Sequence, residues 1–191
     1  FKFNVSPEDA IVESVVNAYE VDGKCYTIPR GFWIETLMGK ASIVGSREDW
    51  SLEQVKKLAD RHPDALLIHM GNPYMLLQCC MQYGGKAFID YEKGECDFNN
   101  QEFVNILEFS KQGGAGQTPN TDLYSNVKMD RVLLAQVSIQ SVEQYQMYRQ
   151  LFGGEGVCVG YPTVKDGGRS VFSGEEMLAI ASGSKNKEAA W

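Results

Sequence analysis

Apolar residues recur along this 191-residue chain in two alternating rhythms: helical stripes spaced three and four apart, and short unbroken runs suited to buried strands. Ser6-Pro7-Glu8-Asp9 reads as a helix start, with Ser6 as cap, Pro7 in the first turn and acids at the positive dipole end. Ile11, Val12, Val15 and Val16 then form a stripe that predicts a helix to about Tyr19. A turn at Val21-Asp22-Gly23-Lys24 leads into a short strand at Cys25–Pro29, and Phe32 to Val44 is apolar and strand-like around Gly39. Ser51-Leu52-Glu53-Gln54 is a capping-box pattern, followed by the helical face Leu52, Val55, Leu58 and Ala59, and His62-Pro63 ends that helix.

The same punctuation continues. Ala65–His69 predicts a buried strand, and Asn72-Pro73 opens a helix to Tyr83 with Gly84 as its C-cap. Ala87–Asp90 reads as a strand with a turn at Glu92–Glu95, and Gln101–Lys111 as a helix. Gly113 to Asn120 is the most linker-like stretch and reads as a surface loop. Val132–Ile139 is an apolar run, Ser141 opens a helix to Leu151, and Val157–Gly160 is a strand. Met177–Ala181 is a further short strand, and Ser184 caps a helix start that runs to Trp191. Alternating strands and helices predict an α/β architecture with a mainly parallel sheet.

Composition adds limits. A net charge of −7, from 18 basic and 25 acidic residues without a long basic cluster, argues against a nucleic-acid partner. No apolar run approaches the ~20 residues that span a bilayer. The chain begins at Phe1 without an initiator Met and stops at Trp191 about two turns into its last helix, so it is expected to be a piece of a longer protein. The five cysteines, Cys25, Cys79, Cys80, Cys96 and Cys158, lack metal-ligand spacing, and an odd number excludes a closed disulfide framework. They read as free thiols, with a Cys25–Cys158 bridge as the minor alternative.

Catalytic signatures are lacking. His62 and His69 are the only histidines; one precedes a proline at a helix end, the other ends a strand, and they do not form a metal pair. Gly113-Gly114-Ala115-Gly116 follows a helix and lacks the lysine of a phosphate loop. Asp22 and Glu175-Glu176 have no separation readable from sequence, so no carboxylate pair is assigned. The reading is non-enzymatic, with no cofactor and no metal.

Several segments carry a resemblance. Val21-Asp22-Gly23-Lys24-Cys25-Tyr26-Thr27-Ile28-Pro29 resembles a "DGK-aromatic-x-x-P" segment, and Trp50-Ser51-Leu52-Glu53-Gln54 a "W-T/S-x-E-E" helix start. Phe88 to Asn99 resembles a hairpin "F-x-D-x-x-x-G-x-x-x-F-D/N", and Glu102 to Phe109 the helix that follows it. Gly160-Tyr161-Pro162-Thr163 and Met177 to Trp191 resemble a return crossing and an "S-K-N-K-E-A-A-W" helix. In this order they resemble the extracellular solute-binding proteins of bacterial ABC importers, family 1, the sugar-binding type.

That resemblance implies a periplasmic-binding-protein-like (type II) lobe: a mixed sheet flanked by helices, with remnants of the other lobe at both ends. Residues 1–31 would be a remnant of lobe one with the first hinge crossing, 32–162 lobe two, and 163–191 the return into lobe one. It implies non-catalytic capture of an extracellular or periplasmic solute, a carbohydrate, for ABC permease subunits, by a monomer held to the membrane through a lipid anchor. Ligand positions are expected at Trp33, Tyr74, Tyr161 and Phe172 as flat aromatic faces, with Arg30 and Glu175 as polar partners. Asn72 reads rather as a helix cap, and Arg30 equally suits a structural ion pair. The rival readings are an α/β enzyme domain whose catalytic residues lie outside the chain, and a sensor or adhesion module.

Overall fold

A computed structural model describes residues 15, 17–45, 50–69, 73–84, 88–115, 123–162 and 169–190. The chain divides into two compact units, one made of Phe1–Phe32 with Gly174–Trp191 and the other of Trp33–Ser173.

The first unit contains the hairpin of β1 (Glu20–Val21) and β2 (Lys24–Cys25). Both turn residues, Asp22 at φ 53° and Gly23 at φ 68°, occupy the left-handed region, which is the geometry an Asp-Gly hairpin favours. Next comes β3 (Ile28–Lys40), whose first five residues belong to this unit and whose remainder builds the other.

In the second unit β3 is followed by α1 (Ala41–Val44), α2 (Leu52–Arg61) and β4 (Leu66–His69). Then come α3 (Pro73–Gly84), the small hairpin of β5 (Ile89–Asp90) and β6 (Glu95–Cys96), and α4 (Gln101–Ala115). The unit continues through α5 (Leu123–Lys128), β7 (Val132–Ile139), α6 (Val142–Leu151) and β8 (Gly156–Cys158). Finally β9 (Val171–Leu178) runs back to the first unit, where α7 (Lys187–Ala190) closes the description.

The central sheet has five strands in the order β4-β7-β3-β8, with β9 also paired to β3. The expected mainly parallel sheet is corrected here. β4 and β7 are parallel, but β3 is antiparallel to both β7 and β8, so the sheet is mixed. Strand–helix alternation in sequence does not fix direction: β3 ends at the end of the sheet where β4 begins, and α1 and α2 cover the gap without a parallel crossover.

Neighbouring residues of β3 serve opposite faces, as strand periodicity requires. Leu37 joins a core with Trp50, Leu58, Ile68, Leu76 and Phe88, while Met38 joins one with Val127, Val132, Val137 and Phe152. Each such large side chain, fully buried, contributes about 1.5–3 kcal/mol by leaving water. Gly39 is required by close packing: a Cβ there would lie 2.5 Å from Val44 Cγ1 and 2.8 Å from the Leu133 carbonyl oxygen.

The local starts follow their sequence signals. Ser51 Oγ accepts from the Gln54 amide at 3.3 Å, and Ser141 Oγ from the Gln144 amide at 3.2 Å. Other boundaries move. α4 runs through Gly113 and Gly114 to Ala115, and β9 ends at Leu178, short of the expected Ala181. Ser184 Oγ accepts from Asn186 N at 3.2 Å, and the last helix starts only at Lys187. The Ser6 helix start, the Asn72 cap and the remainder of the Gly-rich stretch lie outside the described residues. None of the five cysteines forms a disulfide, so the Cys25–Cys158 bridge is not made.

Candidate functional site

The parallel strands β4 and β7 point their carboxyl ends the same way, and β3 begins at that end because it runs against β7. Ligands of open α/β sheets bind outside the carboxyl ends of the strands. In the second unit this end carries Trp33 and Glu35 from β3, Gln136 and Ser138 from β7, and the N-termini of α3 and α6, which follow the two parallel strands.

Register sets which side chains share a face. Leu37 lies opposite Gln136 and Glu35 opposite Ser138, so these four occupy one face, and alternation puts Trp33 there too. This face also bears the larger core, to which α3 contributes Leu76, Cys79 and Cys80. Tyr74, in the first turn of α3, is 65% exposed. The result is a gradient along one face, from apolar core at the middle of the strands to polar and aromatic groups at their end.

Beneath that end lies a polar cluster. Gln136 Nε2 donates to Tyr161 Oη at 2.8 Å and makes a longer contact, 4.0 Å, to the Cys79 sulfur. Burial pushes the Cys79 thiol up; the Tyr161 bond opposes this, and the nearby Glu35 charge adds to it. Tyr161 is itself pushed well up, first by burial and then by Cys79. Cys80 is pushed up first by burial and then by the neighbouring Cys79. These three groups therefore stay protonated and act as neutral packing and hydrogen-bonding elements.

The six expected ligand residues separate. Trp33 and Phe172 are half-buried and Tyr74 exposed, all in the second unit. Tyr161, expected as a flat aromatic face for ligand, is fully buried, and its hydroxyl finds a partner inside the unit. Arg30 and Glu175 belong to the first unit. Arg30 Nη1 lies 2.5 Å from Glu176 Oε2 in an exposed ion pair. Glu175 is exposed beside Gly31, its Oε2 being 3.6 Å from where a Gly31 Cβ would stand. In the same unit the Gly174 amide donates to Tyr19 Oη at 2.7 Å.

Glu35, Gln136 and Ser138 were not among the expected positions, although a signal existed. In Val132–Ile139 the apolar run is broken at Gln136 and Ser138, two residues apart, so only one face turns polar and only towards the strand end. Among the described residues no group of three or more His, Cys, Asp and Glu could hold a metal ion, and no helix is long and apolar enough to cross a membrane.

Solved structures share this fold at low sequence identity. The sugar-binding protein MalE from Xanthomonas citri superposes with a TM-score of 0.61 and 16% identity, over 93% of this chain and 49% of its own. A solute-binding protein of an ABC transporter from Thermotoga lettingae, bound with α-D-tagatose, gives 0.53 and 15% over 95% and 52%. A sugar transporter from Arthrobacter chlorophenolicus with bound laminaribiose gives 0.55 and 14% over 96% and 50%. The chain thus has the periplasmic-binding-protein-like fold and spans about half the length of these neighbours. No protein-family model and no curated protein sequence matches it.

Proposed function

On the premise of a fold shared with the sugar-binding proteins of ABC transporters, we propose that this chain serves to capture a carbohydrate without altering it. The observation that supports this most is the carboxyl end of the mixed sheet. There Trp33 shares a face with Glu35, Gln136 and Ser138, and Tyr74 stands exposed on the helix that follows β4. Aromatic faces suit the C–H side of a sugar ring, and acceptor and amide groups suit its hydroxyls.

In this reading Trp33, Tyr74 and Phe172 are the aromatic contacts, and Tyr161 acts from below by holding Gln136. Arg30 and Glu175 are polar candidates in the first unit, to be tested one substitution at a time. Delivery to ABC permease subunits, extracellular or periplasmic residence, a lipid anchor and a monomeric state belong to the same proposal.

Isothermal calorimetry of the intact protein against maltose, laminaribiose and tagatose, with amino acids and peptides as controls, tests it. Binding confined to the saccharides is expected. Heat only from amino acids or peptides would replace the ligand class, and silence throughout would remove the capture reading.

A further inference from the structure

At the end of the sheet away from the carboxyl ends of β4 and β7, the chain leaves β3 through α1 and enters α2. A cavity of about 270 Å³ lies there within the second unit, lined by α1, its Gly45 cap, Trp50, Gln54 and Arg61. Trp50 is only 2% exposed, and the indole can donate but not accept. Among the described residues its Nε1 is the one buried side-chain nitrogen or oxygen without a hydrogen-bond partner. An N–H that gives up water without gaining an acceptor costs stability, so such a group calls for a specific cause.

The other polar groups of the wall also have donors to spare. Arg61 is exposed and spends Nε on the Lys57 carbonyl at 3.2 Å. Among the described residues its terminal nitrogens join no hydrogen bond and no ion pair. Gln54 donates its backbone amide to Ser51 Oγ, while its half-buried side-chain amide is unpaired among the same residues. The Ser42 hydroxyl is taken, since it donates to Glu155 Oε2 at 2.9 Å. What remains is a guanidinium, an indole N–H and a carboxamide N–H around one cavity. An oxyanion answers all three, and the guanidinium fork fits carboxylate or phosphate oxygens two at a time. The volume is many times that of one water, so a small oxyanion fits.

We propose that this cavity is a further binding site, for a small oxyanion of the carboxylate or phosphate class, held by the Arg61 fork with Trp50 Nε1 and the Gln54 amide as neutral donors. Nε1 is shielded from water, so an oxygen reaches it only as the indole turns towards the cavity. The site lies at the opposite end of the sheet from Trp33 and Gln136 and does not depend on the carbohydrate reading.

The test titrates the intact, nitrogen-15-labelled protein with sodium phosphate and, separately, sodium acetate, at an ionic strength held constant with sodium chloride. The indole N–H resonances of the three tryptophans are followed by NMR, and Trp50→Phe assigns the one from Trp50. A saturable shift of the Trp50 resonance alone is expected, and the anion bound more tightly names the source. Arg61→Leu is expected to weaken that response about tenfold or more, and Arg61→Lys to weaken it less. Equal shifts of all three indoles, no saturable shift with either anion, or a parent-like titration in Arg61→Leu would each overturn the assignment.

Discussion

Gly160 and Arg169 approach so closely that a Cβ on Gly160 would lie 2.5 Å from the Arg169 amide nitrogen. The next residue, Tyr161, exchanges both backbone hydrogen bonds with Arg169, at 2.6 and 3.1 Å, so neither segment can retreat without breaking them. Gly160 also has φ 78°, in the left-handed region. Gly160→Ala is expected to cost about 3 kcal/mol or more, from the clash and the backbone strain together. Urea unfolding should show a lower midpoint at unchanged slope; an unshifted midpoint would show that the approach relaxes freely.

The Gln136–Tyr161 bond should couple strongly. Tyr161→Phe leaves the part-buried Gln136 amide with only the weak Cys79 sulfur as acceptor and is expected to cost about 1–3 kcal/mol. Replacing both, as Gln136→Met with Tyr161→Phe, should recover most of that, since two apolar groups of similar shape leave nothing unsatisfied. A double-mutant cycle by chemical denaturation reads the coupling, and additive losses would refute it.

The Arg30–Glu176 pair should contribute little to stability. Its side chains are 72% and 54% exposed, so solvent and salt screen it, and a coupling of about 1 kcal/mol or less is expected. Glu176 has φ 48°, so its Ala variant also carries a backbone effect, and Glu176→Gln is the cleaner arm. Should Arg30 touch ligand, Arg30→Gln will weaken saccharide binding while Glu176→Gln does not. Equal effects on affinity would assign Arg30 to the ion pair only.

Thiol chemistry should sort by burial. Cys25 and Cys96 are exposed and are expected to react with an aromatic disulfide reagent in the native protein, whereas Cys79 and Cys80 should react only in denaturant. The raised values at Cys79 and Cys80 also set a sign for stability. The folded chain holds protons that the unfolded chain begins to release near pH 8.5, so stability is full below that pH and falls above it. Each buried thiol adds about 1.4 kcal/mol per pH unit to that fall while it stays protonated. A flat unfolding free energy from pH 8 to 10 would contradict the burial of both thiols.

What was legible in the sequence was local. Ser51 and Ser141 announce their helices because a cap and its partner lie three residues apart, and both caps form as read. The Asp22-Gly23 turn is equally self-contained. Strand direction was not legible, because it depends on which end of β3 the chain leaves and re-enters. Nor was the fate of Tyr161: a tyrosine near a glycine-rich crossing suits an exposed face, and only Gln136, 25 residues away, makes its burial acceptable. The polar end of the sheet face lay between these extremes. Gln136 and Ser138 break a strand pattern visibly, but Glu35 gains meaning only when register sets it opposite Ser138.

The strand order β4-β7-β3 also has a consequence in time. β3 and β4 follow one another in the chain, yet they never pair, because β7 is inserted between them. Both must wait for a segment that begins at Val132, some 60 residues after β4 ends. During synthesis at about 5–20 residues per second, β3 and β4 leave the ribosome with open edges for several seconds. Loop closure must then precede any reward from the sheet, which places this unit among slow-folding topologies. The rate at which β7 docks therefore sets how long the nascent chain is exposed to aggregation.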